Sequence, residues 1–218
     1  MLRRTDLAFA LLVAMLSTAP ADASWMRKFP YATGEAVVVQ GTVTDAGAAP
    51  LADLEVVLEV TDTRLSLRPF GRAPREIHRV ATRTDAQGAY ALRLVWDERW
   101  DRAELLVGVP VYRGDGPKVH VLERLDVTRR VAQGTPAVIG AVVQDMEFLR
   151  NHREFERSLA SDSMQRAYRE KGRPDRVDRL ETPAAVEVTW WYYAAGLTLR
   201  FSDGVLIDTQ SFEPIRED

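Results

Sequence analysis

From Glu35 to Val143 the apolar residues recur mostly at every second position, from Asp145 to Lys171 at helical intervals, and from Val186 at every second position again. A period of two belongs to a strand with one buried face, and a period near 3.6 to a helix with one buried stripe. A chain that changes period only twice holds its helices in one block. That order predicts a mostly β fold with an α+β C-terminal unit: an antiparallel β-sandwich over residues 35–143, then two helices and a three-stranded antiparallel sheet over 145–218.

Within the first block, Val37, Val39, Gly41 and Val43 alternate with Val38, Gln40, Thr42 and Thr44, and the stretch Asp45 to Leu51 breaks the run. A second strand over Leu54 to Val60 is expected to pair with the first as the start of a meander. Strands at His78–Thr84 and Ala89–Val95 flank Asp85-Ala-Gln-Gly88, which is expected to be a hairpin turn. Asp at the head of such a turn caps backbone amides, and Gly at its end relieves strain. Asp45 and Asp85 are therefore read as caps, because calcium needs several convergent oxygens that nothing here supplies. Leu105–Tyr112, Val119–Val127 and Pro136–Val143 complete the strands.

In the second block Met146, Leu149, Phe155, Leu159, Met164, Ala167 and Tyr168 mark two amphipathic helices. Ser161 offers an N-cap between them, and Gly172 with Pro174 ends the second. The run TWWYYAAGLTLRF then places Trp190 and Tyr192, with Leu199 and Phe201, towards the helices. Trp191, Tyr193, Thr198 and Arg200 fall on the opposite face and form the candidate protein-binding surface, since aromatic and Arg side chains are what contact sites favour. A turn at Ala195-Gly196 would set Trp191 across from Arg200.

The first residues, MLRRTDLAFALLVAMLSTAPADAS, have the charged start, short apolar run and Ala-Asp-Ala close of a signal peptide over residues 1–23. Export to a periplasm is expected, with no membrane span after cleavage. The chain contains no cysteine, so packing alone must hold the fold. A net charge of -3 with both signs interleaved offers no footprint for nucleic acid.

No nucleophile elbow, phosphate loop or dinucleotide fingerprint occurs, and His78, His120 and His152 lack metal-ligand spacing. Solvated or edge positions are expected for all three. The expectation is a non-enzymatic protein with no cofactor and no metal, acting by contact with other proteins. The alternative is a carbohydrate or peptidoglycan-binding module built on Trp96 and Trp100 of WDERWDR, whose Asp97, Glu98 and Asp101 also raise a glycosidase reading. An Arg-rich loop after Thr63 suits an acidic partner or plain solvation.

Two resemblances add to this. The stretch VVVQGTVTDAGAAPLADLEVVLEV, followed by TRTDAQGAYALRL, resembles the carboxypeptidase regulatory-like and transthyretin-like β-sandwiches over Glu35 to Thr128. That resemblance implies structural roles for Gly41, Pro50, Asp85, Gly88 and Tyr90, and a supporting or adhesive function. Further on, Gly172, Pro174, Trp190 to Tyr193, Phe201, Asp203 and Gly204 make the segment Asp162 to Phe212 similar to the SmpA/OmlA-like and β-lactamase-inhibitor-like domains. Relatives of that kind bind other proteins in the cell envelope. They are tethered through an N-terminal cysteine, which this chain lacks, so a differently recruited role is implied.

Overall fold

The computed structural model describes residues 29–63, 76–113 and 116–215. The signal segment and nearly all of the Arg-rich loop lie outside the described residues. The fold is mostly β, with antiparallel sheets, a sandwich and an α/β unit.

The first sheet is built on β1 (Ala36–Asp45), which pairs antiparallel with β4 (Ala89–Val95), Val39 opposite Leu92. On its other side β1 runs parallel to two short strands, which are β7 (Ala137–Val138) and β8 (Ala141–Val143). The second sheet has the order β3-β2-β5-β6, from β2 (Glu55–Asp62), β3 (Glu76–Arg83), β5 (Arg102–Arg113) and β6 (Gly116–Asp126). Val37, Val39, Val43, Leu58, Val60, Leu92, Leu94, Leu105 and Val107 belong to one core. A one-turn helix, α1 (Thr128–Val131), follows β6.

Two expected pairings are corrected. β1 and β2 are not neighbours, and β3 and β4 do not form a hairpin; each pair is split between the two sheets. The turn residues behave as expected, with Asp45 Oδ1 accepting from the amides of Gly47 and Ala49, and Asp85 Oδ1 from those of Gln87 and Ala89. Each turn nevertheless belongs to a chain crossing from sheet to sheet. Buried Thr84 joins the two crossings: its Oγ1 donates to Leu51 O at 2.7 Å and accepts from Leu54 N at 2.9 Å. Turn chemistry is the same for a hairpin and for a crossover, so the local residues do not distinguish them.

The phenol of Tyr90 donates to Ile139 O at 2.8 Å inside the core, and burial pushes its pKa well above the usual tyrosine range. Tyr90→Phe leaves that carbonyl without its donor, so the expected loss of unfolding free energy is about 1 to 2 kcal/mol. Urea unfolding checks it, and an unchanged midpoint would show that the bond contributes nothing.

In the second unit α2 (Met146–Ser158) and α3 (Asp162–Lys171) pack on a sheet ordered β12-β11-β10-β9. Its strands are β9 (Arg176–Glu181), β10 (Val186–Tyr192), β11 (Leu197–Ser202) and β12 (Val205–Ser211). The sheet thus has four strands rather than the expected three. β9 is exposed along almost its whole length and is held by its ladder with β10, so it leaves no burial pattern in the sequence.

Ser161 caps α3 as expected, accepting from Met164 N at 3.2 Å, and its hydroxyl also donates to Gly204 O. Asp145 caps α2 by accepting from Phe148 N at 3.1 Å. Phe155, Met164, Tyr168, Trp190, Tyr192, Leu199 and Phe201 form a second core. α2 joins the two units, because its Leu149 is buried in the first core and its Phe155 in the second. Arg153 adds a bond from Nη2 to Ala52 O at 2.6 Å. Among the described residues, no helix is long and apolar enough to cross a membrane.

Candidate contact face

β10 and β11 place Trp191 and Arg200 on the sheet face that points away from the helices, while Trp190, Tyr192, Leu199 and Phe201 fill the helix side. The chain turns over Tyr193 to Gly196, earlier than expected, with Gly196 N bonded to Tyr193 O at 3.1 Å. Trp191 therefore pairs with Thr198, and Arg200 with Thr189. The expected facing of Trp191 and Arg200 is corrected. Because the shift is an even number of residues, every side chain keeps its face.

The neighbours of Trp191 come from β9 and from the chain after β12. Its indole Nε1 donates to Asp178 Oδ2 at 2.8 Å, and its ring lies 6.3 Å from that of Tyr193 and 6.0 Å from that of Phe212. Arg176 donates from Nε to Asp178 Oδ1 at 2.7 Å, and its pKa is raised first by that carboxylate and further by the neighbouring Tyr193 side chain. The Asp178 carboxyl is held below the ordinary carboxylate range, first by the Arg176 bond and then by the Trp191 indole, with desolvation opposing both. Folding thus favours its ionised form, a contribution present above the ordinary carboxylate pKa and lost as pH falls through the depressed value.

Trp191 and Tyr193 are half-buried and Arg200 is exposed, its Nη2 3.9 Å from Asp208 Oδ2. Thr198 is only 8% exposed, so its place in the expected surface is corrected: between Trp191 on one side and Gln210 on the other, the short side chain is covered by longer ones. Sequence reading missed Arg176 and Asp178, which orient the two aromatic residues. Their strand was not recognised, because RVDRLE buries no face and so carries no apolar alternation.

The other candidate surface does not survive. Trp96 is 1% exposed, with its ring 4.5 Å from that of Phe29, 5.2 Å from that of Tyr31 and 5.3 Å from that of Trp100. Trp100 is buried as well, stacked 5.4 Å from His78. Indoles enclosed this way close the end of the sandwich and have no face to offer a sugar. The nearby carboxylates are engaged too: Asp97 is paired with Arg99, and Asp101 accepts from the amide and hydroxyl of Thr63. Among the described residues, no group of three or more His, Asp and Glu side chains is placed to hold a metal ion. His152 also departs from expectation, since it is buried; it sits three residues from both Leu149 and Phe155, in the stripe that α2 presents to the cores.

No family model and no curated protein matches this chain. Among solved structures, 3-chlorocatechol 1,2-dioxygenase from Rhodococcus opacus 1CP matches at 18% identity and a TM-score of 0.25, over 51% of this chain and 54% of the other. Chlorocatechol 1,2-dioxygenase from Pseudomonas putida matches at 17% identity and a TM-score of 0.22, over 51% and 55%. The match spans about half the length of each. Both are enzymes, and on that finding the expectation of a non-enzymatic chain is corrected and withdrawn. At these TM-scores the likeness assigns no chemistry to any residue of this protein.

Proposed function

We propose that this chain is an exported envelope protein that acts by contact with another protein, through the open face of the sheet in its second unit. The observation that carries the reading is that the sheet is covered on one side only. The helices and the first unit lie against the side of Trp190 and Tyr192, while Trp191, Tyr193, Arg176 and Arg200 lie on the side away from them. Half-buried aromatic rings held in place by ion pairs, with Arg beside them, are the make-up of contact hot spots, where a rigid anchor is buried at small entropic cost. β12 borders this face as an edge strand whose Val205, Leu206 and Ile207 are all exposed, the last at 50%. Unpaired apolar edges of this kind are ready to pair with another chain.

The likeness of the first unit to transthyretin-like sandwiches and of the second to SmpA/OmlA-like domains supports the same reading, as does the signal-like start, which would deliver the chain to a periplasm. A photo-crosslinking side chain at position 200 is expected to capture a discrete envelope protein, whereas one at exposed Val95 on β4 captures none. Arg176→Glu, which reverses a charge on the same face, should abolish the adduct. Equal capture from positions 95 and 200, or none from 200, overturns the proposal.

A further inference from the structure

Where the two units meet, on the helix side of the second unit's sheet, a cleft of about 470 Å³ opens between β5, β6, α2 and the end of α3. That volume lies within the range of small-molecule sites, and domain junctions are where such sites commonly form. Its walls are rings. His120 stacks on Phe148 with centroids 3.6 Å apart, and Phe148 lies nearly parallel to His152 at 6.0 Å. Tyr112 and Tyr168 meet edge to face at 5.2 Å.

The character of its lining separates this cleft from a packing defect. His152 is 1% exposed and lines the cleft, yet neither ring nitrogen makes a hydrogen bond. Its Nε2 lies 3.3 Å from Glu156 Oε1 outside hydrogen-bond geometry, and its Nδ1 has no polar partner. Both nitrogens are also closed off from the cleft, so the imidazole contributes ring surface to its wall and no hydrogen-bonding atom. The lining is also charged on one side. Lys171 and Arg173 line it together with Asp175, and Asp175 is engaged by Tyr193 N at 2.6 Å. Arg173 is steadied over the Phe155 ring, 5.2 Å from its centroid.

We propose that this cleft binds a small planar aromatic anion, its ring against Tyr112, Phe148 and Tyr168 and its negative group towards Lys171 and Arg173. Flat walls select a flat ligand because ring faces and edges pack on one another. The paired cations select an anion over a neutral ring of the same shape. This site is separate from the contact face, which lies on the other side of the sheet.

Titration calorimetry of the full chain with 2-naphthoate tests it, with 2-naphthalenemethanol as the uncharged ring and cyclohexanecarboxylate as the anion without aromaticity. The expected result is one site per chain for 2-naphthoate and at least tenfold weaker binding of both analogues. Lys171→Glu and Arg173→Gln, at exposed positions, should each weaken 2-naphthoate at least fivefold while leaving the thermal midpoint in place. Absence of 2-naphthoate binding, equal binding of the uncharged ring, or binding untouched by both substitutions overturns the proposal.

Discussion

Trp96→Ala is expected to lower the unfolding free energy by about 3 to 5 kcal/mol, the usual cost of emptying a buried aromatic site. For a chain of this length that corresponds to a fall of roughly 6 to 20 °C in the thermal midpoint. The site cannot collapse to fill the space, because Phe29, Tyr31 and Trp100 surround the indole and each is itself buried. Backbone bonds fix the same corner, Trp96 N to Glu35 O at 2.7 Å and Gly34 N to Trp96 O at 2.8 Å. Trp96→Phe should cost much less. It keeps most of the ring contact and deletes an indole N–H that has no hydrogen-bond partner. Differential scanning calorimetry of the two variants separates the cases. A midpoint for Trp96→Ala within two degrees of the parent would mean that the ring is not enclosed.

That corner also shows why part of the molecule was legible and part was not. WDERWDR contains two tryptophans among charges, and a sequence does not state whether such a loop folds back over the end of a sandwich or stands away from it. The partners that bury Trp96 include Phe29 and Tyr31, some 65 residues earlier, and no local periodicity links them. By contrast, the division of Trp190 and Trp191 between opposite faces follows from adjacency in a strand, and it persisted even when the turn moved. The helices were legible for the same reason, since their stripes and the Ser161 cap are local.

Most of what failed was non-local. Which strand lies beside β1 is decided by Thr84 and by the return of residues 137–143, far along the chain. β9 was missed because backbone pairing rather than burial holds it. His152 was misplaced by weighing the charged composition of α2 above the three-residue spacing that puts the ring in line with Leu149 and Phe155.

Gly41→Val is expected to be the other severe change, because at this position there is no room for a side chain at all. Between its pairing with β7, through Val39 and Gln40, and its pairing with β8, from Val43 onward, β1 passes directly under the carbonyl of Ile139. A Cβ on Gly41 would stand 1.8 Å from Ile139 O and 2.6 Å from its carbonyl carbon, so the backbone of residues 137–141 must move. That carbonyl also accepts the Tyr90 hydroxyl, and Ile139 N bonds to Gln40 O at 2.8 Å, so one displacement strains three connections. The cost should reach about 3 kcal/mol, the upper end for forcing bulk into a packed site, with a fall of roughly 6 to 12 °C in the midpoint. Gly41→Ala should show most of this loss, since the clash begins at Cβ; the extra methyls of valine add only the remainder. Amide exchange at Ile139 distinguishes the mechanism from general loosening: its protection should collapse in both variants while that of Leu58, in the opposite sheet, falls only as far as the global stability does. If Gly41→Ala unfolds at the parental temperature, the close crossing of β1 and the 137–141 segment is wrong, and with it the account of how the first sheet is closed.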